Sequence, residues 1–175
     1  MKVVIISASP RKNANTQIMM KHALEYAKTK NADTHFINLS EGLLECYRGP
    51  EEEYNEYTKK AAADLTDADV WLIGTPIYNS FFSSALKNLF EYVNYKKTEG
   101  KVAGIAIMAA GNIGFIDVQT LVTQLLSYFR VIANPKAVFL TTEDVADNAV
   151  STDGAKQRLN ELVDETLELA SKIQS

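Results

Sequence analysis

Five apolar runs punctuate the chain: Lys2–Ser7 (KVVIIS), Thr34–Leu39 (THFINL), Val70–Thr75 (VWLIGT), Val102–Ala109 (VAGIAIMA) and Lys136–Thr141 (KAVFLT). The first, third and fourth are apolar on both alternating faces, which predicts central strands covered on both sides. The second and fifth are more mixed, as sheet edges are. Between the runs lie amphipathic stretches at helical spacing. NTQIMMKHALEYAK puts Met20, Ala23, Leu24 and Ala27 on one face. YNEYTKKAAADL predicts a second helix with an open start. SSALKNLFEYV begins on serine caps and spaces Leu86, Leu89, Phe90 and Val93 helically. DVQTLVTQLLSYF repeats the pattern with Leu121, Val122, Leu125 and Leu126, and the last helix carries Leu159, Leu162, Val163 and Ile173 on a stripe.

Strict alternation of strand and helix predicts an α/β fold, a five-stranded parallel sheet with helices on both faces and right-handed crossovers. Five strands fit the order 2-1-3-4-5 in a three-layer sandwich, spanning residues 1–175 as a single domain. One connection, Ser40–Glu53, is long and irregular; it reads equally as a solvated loop or a site wall. Within it, PEEE reads as a solvated acidic helix start.

In an open parallel sheet, ligands gather outside the carboxyl ends of the strands. The loops there are the chain's most unusual: SASPRKNANTQ, GTPIYNSFFSS and AAGNIGF. In the first, Ser7, Ser9, Asn15 and Thr16 offer hydroxyls and an amide, and Arg11 a planar charged fork. A helix start near Asn15 or Thr16 adds free N–H groups and a positive dipole end. That set suits a phosphate monoester. The glycine-free loop disfavours a pyrophosphate, and no G-K-[ST] is present for a nucleoside triphosphate. The alternative is that Asn15 or Thr16 is a plain helix cap and Arg11 a solvated charge. In the second loop, Pro76, Tyr78, Asn79, Phe81 and Phe82 suit a flat heteroaromatic ring, with backbone N–H groups toward its edge. The alternative is that the phenylalanines bury in the core or in a subunit contact. In the third, Gly111 and Gly114 flank Asn112 and let a planar ligand lie against backbone; the alternative is a tight turn.

Composition narrows the class. The chain is 46% hydrophobic and 23% charged, with a net charge of −4. No basic face is evident, so a nucleic acid is not an expected partner. The single cysteine, Cys46, offers neither an internal disulfide nor a thiolate cage. No spaced His/Cys/Asp set supports a metal. The absence of a signal-like segment or an apolar run of membrane-spanning length predicts a cytoplasmic protein. Trp71 reads as core, and His22 and His35 as surface or packing residues.

The three loops together resemble the NAD(P)H-dependent FMN reductase family of flavodoxin-like proteins. The family's G-S-x-R reads here as ASPR, with Ala8 for glycine and Ser9 and Arg11 retained; NANT resembles NGNT of its iron–sulfur relatives. Its P-x-Y-N…L-K-N block matches Pro76, Tyr78, Asn79, Leu86, Lys87 and Asn88, and AAGNIGF matches its glycine-rich loop. Ile77 replaces the common glutamate, Ser83–Ser84 the usual Pro-Gly, and Ala14 a loop serine.

The resemblance implies an FMN site. Ser9, Arg11, Asn15 and Thr16 would hold the phosphate, Pro76, Ile77, Tyr78 and Asn79 would frame the isoalloxazine, largely through backbone, and Gly111, Asn112 and Gly114 would approach its other edge. It reads Leu86, Lys87 and Asn88 as structural. It implies ping-pong hydride transfer through flavin N5, from NADPH or NADH to a small-molecule acceptor, in a homodimer or homotetramer. No catalytic side chain is needed, because the cofactor carries the chemistry. The rival is a flavodoxin-like electron carrier without nicotinamide activity. The mild net charge favours the enzyme.

Overall fold

A computed structural model describes residues 1–174. Its central sheet is built from β1 (Lys2–Ser7), β2 (Asp33–Asn38), β3 (Val70–Pro76) and β4 (Val102–Ala109). Two short strands, β5 (Ile132–Ala133) and β6 (Val138–Thr141), both pair with β4. The order is β2-β1-β3-β4-β5, with β6 continuing beside β4, and every pairing in this sheet is parallel. This is the anticipated flavodoxin-like sandwich. The helices are α1 (Asn15–Thr29), α2 (Glu56–Asp67), α3 (Ser84–Glu91), α4 (Phe115–Tyr128) and α5 (Asp153–Gln174). None of them is long and apolar enough to cross a membrane.

Alternation along the strands divides the interior in two. Val4, Ile6, Trp71, Ile73, Ile105 and Ile107 pack on one face with residues of α2, α3 and α4. Val3, Ile5, Val70, Leu72 and Val102 pack on the other with α1 and α5. Both faces are therefore dry, which is why the central runs lack polar alternation. Trp71 is fully buried and its indole N–H donates to Leu65 O at 2.8 Å. Two strand glycines serve close helix approach. A Cβ on Gly74 would stand 2.1 Å from Met20 Cγ, and one on Gly104 2.6 Å from Thr166 Oγ1.

Three local expectations are corrected, and one element is added. The fifth strand position is interrupted, because Pro135 has no N–H to give and Asn134 turns the backbone. Asn134 N donates to Ala103 O at 2.7 Å, and its side chain meets Lys136 N and Thr166 Oγ1. Pro50–Glu53 does not start a helix: α2 begins at Glu56, where Asn55 Oδ1 caps it by accepting from Thr58 N at 2.8 Å. Ile173 leaves the apolar stripe of α5 and is 38% exposed, in the last turn of the helix. A hairpin of β7 (Val145–Ala146) and β8 (Ala149–Val150) follows β6. Its turn places Asp147 and Asn148 at positive φ, the two-residue geometry those side chains tolerate best after glycine.

The irregular segment after β2 is pinned, not loose. Asn88 of α3 donates to Glu45 O at 2.7 Å and accepts from Tyr47 N at 2.9 Å. Tyr92 OH donates to the same carbonyl at 2.8 Å, and Tyr47, Tyr54 and Tyr92 pack ring against ring. Burial, with Tyr54 and Glu45 close by, pushes the Tyr92 phenol up to about 12.

Candidate functional site

The carboxyl ends of β1, β3 and β4 open into a cleft of about 1240 Å³. Its walls come from the β1–α1 loop, the β3–α3 loop, the end of β4 and Thr142. Arg11, Asn15 and Thr16 line one side, and Pro76, Ile77, Tyr78 and Asn79 another. The fold thus gathers seven of the eleven expected residues around one volume.

The β1–α1 loop presents a helix start prepared for an anion. The residue before α1 is Ala14, which has no side chain to cap it, and the first turn holds no acidic residue. Neither Asn15 nor Thr16 is the cap; both are already helical. The positive end of the α1 dipole therefore faces the cleft without an internal counter-charge. Arg11 is set beside it by two contacts: its N–H donates to Ser9 Oγ at 3.2 Å, and its guanidinium lies 4.8 Å from the centre of the Tyr78 ring.

Ser9 itself does not line the cleft. It is fully buried, and its hydroxyl is shared between Arg11 N and Tyr78 OH, the latter at 2.9 Å. Its place is behind the loop, joining it to the β3–α3 connection. Ala8 is equally buried, its N–H donating to Gly74 O at 2.8 Å. Alanine there adds a methyl to the core at the position where the resemblance has glycine.

The β3–α3 loop is a tight reversal. Tyr78 and Phe81 exchange backbone hydrogen bonds of 2.8 and 3.0 Å, and Asn79 and Ser80 between them both have positive φ. Ser80 has no glycine-like freedom, so this turn stores strain of about 1 kcal/mol or more. Ile77 N donates to Met108 O at 3.0 Å. The N–H groups of Ile77 and Tyr78 are thus engaged inside the protein and do not point at a ring edge, which narrows the expected backbone framing. Behind the turn, Ser83 is fully buried. Its Oγ accepts from Leu86 N at 3.1 Å as the cap of α3 and donates to Ala8 O at 2.5 Å.

Gly111, Asn112 and Gly114 lie outside the cleft lining. The reason is local: Gly111, Asn112 and Ile113 are exposed, and Gly114 at φ 86 turns the chain into α4, with Ile77 its nearest neighbour across the gap. The end of β4 lines the cleft in their place, through Met108, Ala109 and Ala110. Lys12, Ser84, Thr142 and, above all, Lys87, expected to be structural, also line the cleft. Its signal was available: Lys87 follows Leu86 and precedes Leu89 and Phe90, all buried, so it must face outward at the helix end nearest the cleft. Leu86 and Asn88 are structural, as expected.

Three cations, Arg11, Lys12 and Lys87, line the cleft, and no carboxylate does among the described residues. No group of three His, Cys, Asp or Glu side chains placed to hold a metal occurs among them either. Cys46 is exposed and free. His22 Nε2 lies 2.9 Å from Asn160 Oδ1, and His35 Nδ1 lies 3.2 Å from Asp64 Oδ1, both away from the cleft.

Known proteins resemble this chain in sequence and in fold. A NAD(P)H-dependent FAD/FMN reductase of Geobacillus thermodenitrificans is 25% identical over 164 residues, covering 91% of this chain and 89% of that protein. An NADPH azoreductase of Bacillus sp. is 28% identical over 166 residues, covering 94% and 90%. The solved structure of FerB, a flavoenzyme NAD(P)H:(acceptor) oxidoreductase from Paracoccus denitrificans, superposes with a TM-score of 0.79 at 22% identity, covering 98% of this chain and 97% of that one. The NADPH-dependent FMN reductase family matches residues 1–145 of the 175, which takes in every strand and loop that builds the cleft, and the chain belongs to that family.

Proposed function

We propose that the chain is a cytoplasmic FMN-dependent NAD(P)H oxidoreductase, a single FMN-binding domain that passes electrons from NADPH or NADH to a small-molecule acceptor. The observation that carries this reading is the uncapped start of α1 with Arg11 fixed beside it, facing a cleft free of carboxylates. A phosphate dianion fits that corner. The guanidinium and the first-turn N–H groups of α1 meet its charge, and Asn15 and Thr16 add side-chain donors. Ser9 contributes from behind by holding Arg11 and Tyr78. Pro76, Ile77, Tyr78 and Asn79 offer a shaped wall to a flat ring.

When bound, FMN supplies the redox chemistry, hydride acceptance and return at its N5. The protein's share is positional. Pro76 and Ile77 would exclude water from a ring held against them. Hydride transfer requires no general base, and the cleft lining holds no histidine or carboxylate among the described residues. Nicotinamide and acceptor would use the remaining open volume in turn. The relatives named above, a flavin reductase and an azoreductase, support this class of donor and acceptor. We extend the reading to a homodimer or homotetramer, supported by the exposed apolar side chains Phe81, Ile113 and Ile116 near the cleft. Light scattering on the eluting protein measures it directly.

The decisive experiment is spectroscopic. FMN is titrated into the purified protein, and NADPH or NADH is then added without oxygen. A perturbed flavin spectrum that bleaches with a nicotinamide is expected. Flavin bound but left oxidised by both nicotinamides identifies an electron carrier instead. Failure to bind FMN at all rules out both.

A further inference from the structure

The cleft carries more positive charge than one phosphate monoester requires. Arg11 and the α1 start answer that phosphate from one loop. Lys87 comes from a different element, four residues beyond the Ser83 cap of α3. Its ion-pair partner is Glu91, one turn further along and outside the cleft lining, and both side chains are about half exposed, at 50% and 42%. An exposed i,i+4 pair is weak and yields readily to a ligand anion. The same lining includes Phe81 and Phe82, whose rings lie 6.4 Å apart, with Phe81 56% exposed. An apolar ring surface and an available cation lining one cleft suit a flat aromatic body bearing an anionic group. In a chain of net charge −4, a cleft with three cations also steers anions inward.

We propose that Lys87, aided by Lys12, recognises a second anionic group carried by the reactant that shares the cleft with FMN. Two sources present that chemistry: the 2′-phosphate of NADPH, or a carboxylate or sulfonate on an aromatic acceptor. This inference rests on the FMN reading above and names the substrate class of the same site. Lys87 is then a specificity residue, which separates it from its neighbours Leu86 and Asn88, whose contacts are internal.

The test compares reactants that differ by one anion. FMN-loaded protein is titrated with NADP⁺ and with NAD⁺, following the flavin spectrum, and turnover is measured with a carboxylated azobenzene and with its neutral parent. For Lys87→Gln, the preference for the anionic member of at least one pair should fall roughly five- to tenfold. A fall in the NADP⁺/NAD⁺ ratio assigns the donor phosphate, and a fall in the azobenzene ratio assigns the acceptor anion. Glu91→Gln, which removes the competing carboxylate, should shift the same ratio the opposite way by about twofold. If Lys87→Gln loads FMN normally and alters neither ratio, the assignment is overturned while the FMN reading stands. If the unaltered protein fails to load FMN, that reading is overturned and this inference with it.

Discussion

The β1–α1 and β3–α3 connections are tied to each other, whereas the β4–α4 connection stands in solvent. Ser9 Oγ meets Tyr78 OH, Ser83 Oγ donates to Ala8 O, Ala8 N donates to Gly74 O, and the Ser83 N–H donates to Thr75 Oγ1. The first three join the two sides across strands β1 and β3, through residues 66 to 75 apart in sequence, and the fourth braces the β3–α3 side internally. The β4–α4 loop has one weak side-chain tie, from Thr142 Oγ1 to Ala110 O at 3.5 Å, and Ile113 at its tip is 88% exposed. The difference separates two tasks. The side proposed to hold the phosphate and one ring face is built before any ligand arrives, which lowers the ordering cost of binding. The β4–α4 loop, beyond the cleft lining, has no comparable framework.

Ser83→Ala is the strongest way to break this arrangement. It removes the cap of α3 and leaves the buried Ala8 carbonyl without its partner. Stability should fall by about 2–3 kcal/mol in a urea titration. A loss under about 0.5 kcal/mol would mean the two loops hold together without it.

Arg11→Ala tests what the locked side is for. FMN affinity should drop about 10- to 100-fold, the value of a charge-assisted contact, while riboflavin affinity changes little because riboflavin has no phosphate. Equal losses for the two flavins would assign Arg11 to the ring end.

Tyr92→Phe probes a third region, the pinned segment between β2 and α2. It deletes the hydrogen bond to Glu45 O and should cost about 1 kcal/mol at neutral pH. The folded phenol is raised to about 12, so folding favours its neutral form. That contribution is fully present below the unfolded value of about 10 and disappears as pH rises between about 10 and 12. The alkaline limb of the stability profile should therefore be shallower in Tyr92→Phe. An unchanged limb would show that another group controls it.

What the sequence made legible follows the same division. Strands β1, β3 and β4 and their order could be read because burial on both faces writes an uninterrupted apolar run, as at Val70–Pro76. The anion corner could be read because Arg11 and the start of α1 are neighbours in the chain. The support behind it could not. Nothing local to Ser9 says that its hydroxyl faces Tyr78 instead of a ligand, since that contact spans the sheet. The glycines at 111 and 114 gave a signal of turning backbone, and the turn is there, but turning and lining a cleft are different properties. The break at Asn134–Pro135 is not legible, because Lys136–Thr141 alternates well enough to pass for one strand. The proline that interrupts the ladder stands just before it.

Ile113→Ser carries the smallest expected effect and sharpens the comparison most. Ile113 buries almost nothing in the isolated chain, so its replacement should leave stability within about 0.5 kcal/mol by urea titration, against the large loss at Ser83. Serine at this position also accepts the surrounding turn without strain, because the positive φ belongs to Gly114 and not to residue 113. FMN affinity should likewise be unaltered, since the locked loops are untouched. A loss of stability that grows with protein concentration would instead place Ile113 in a contact between copies, and the open loop would then be open only in the single chain.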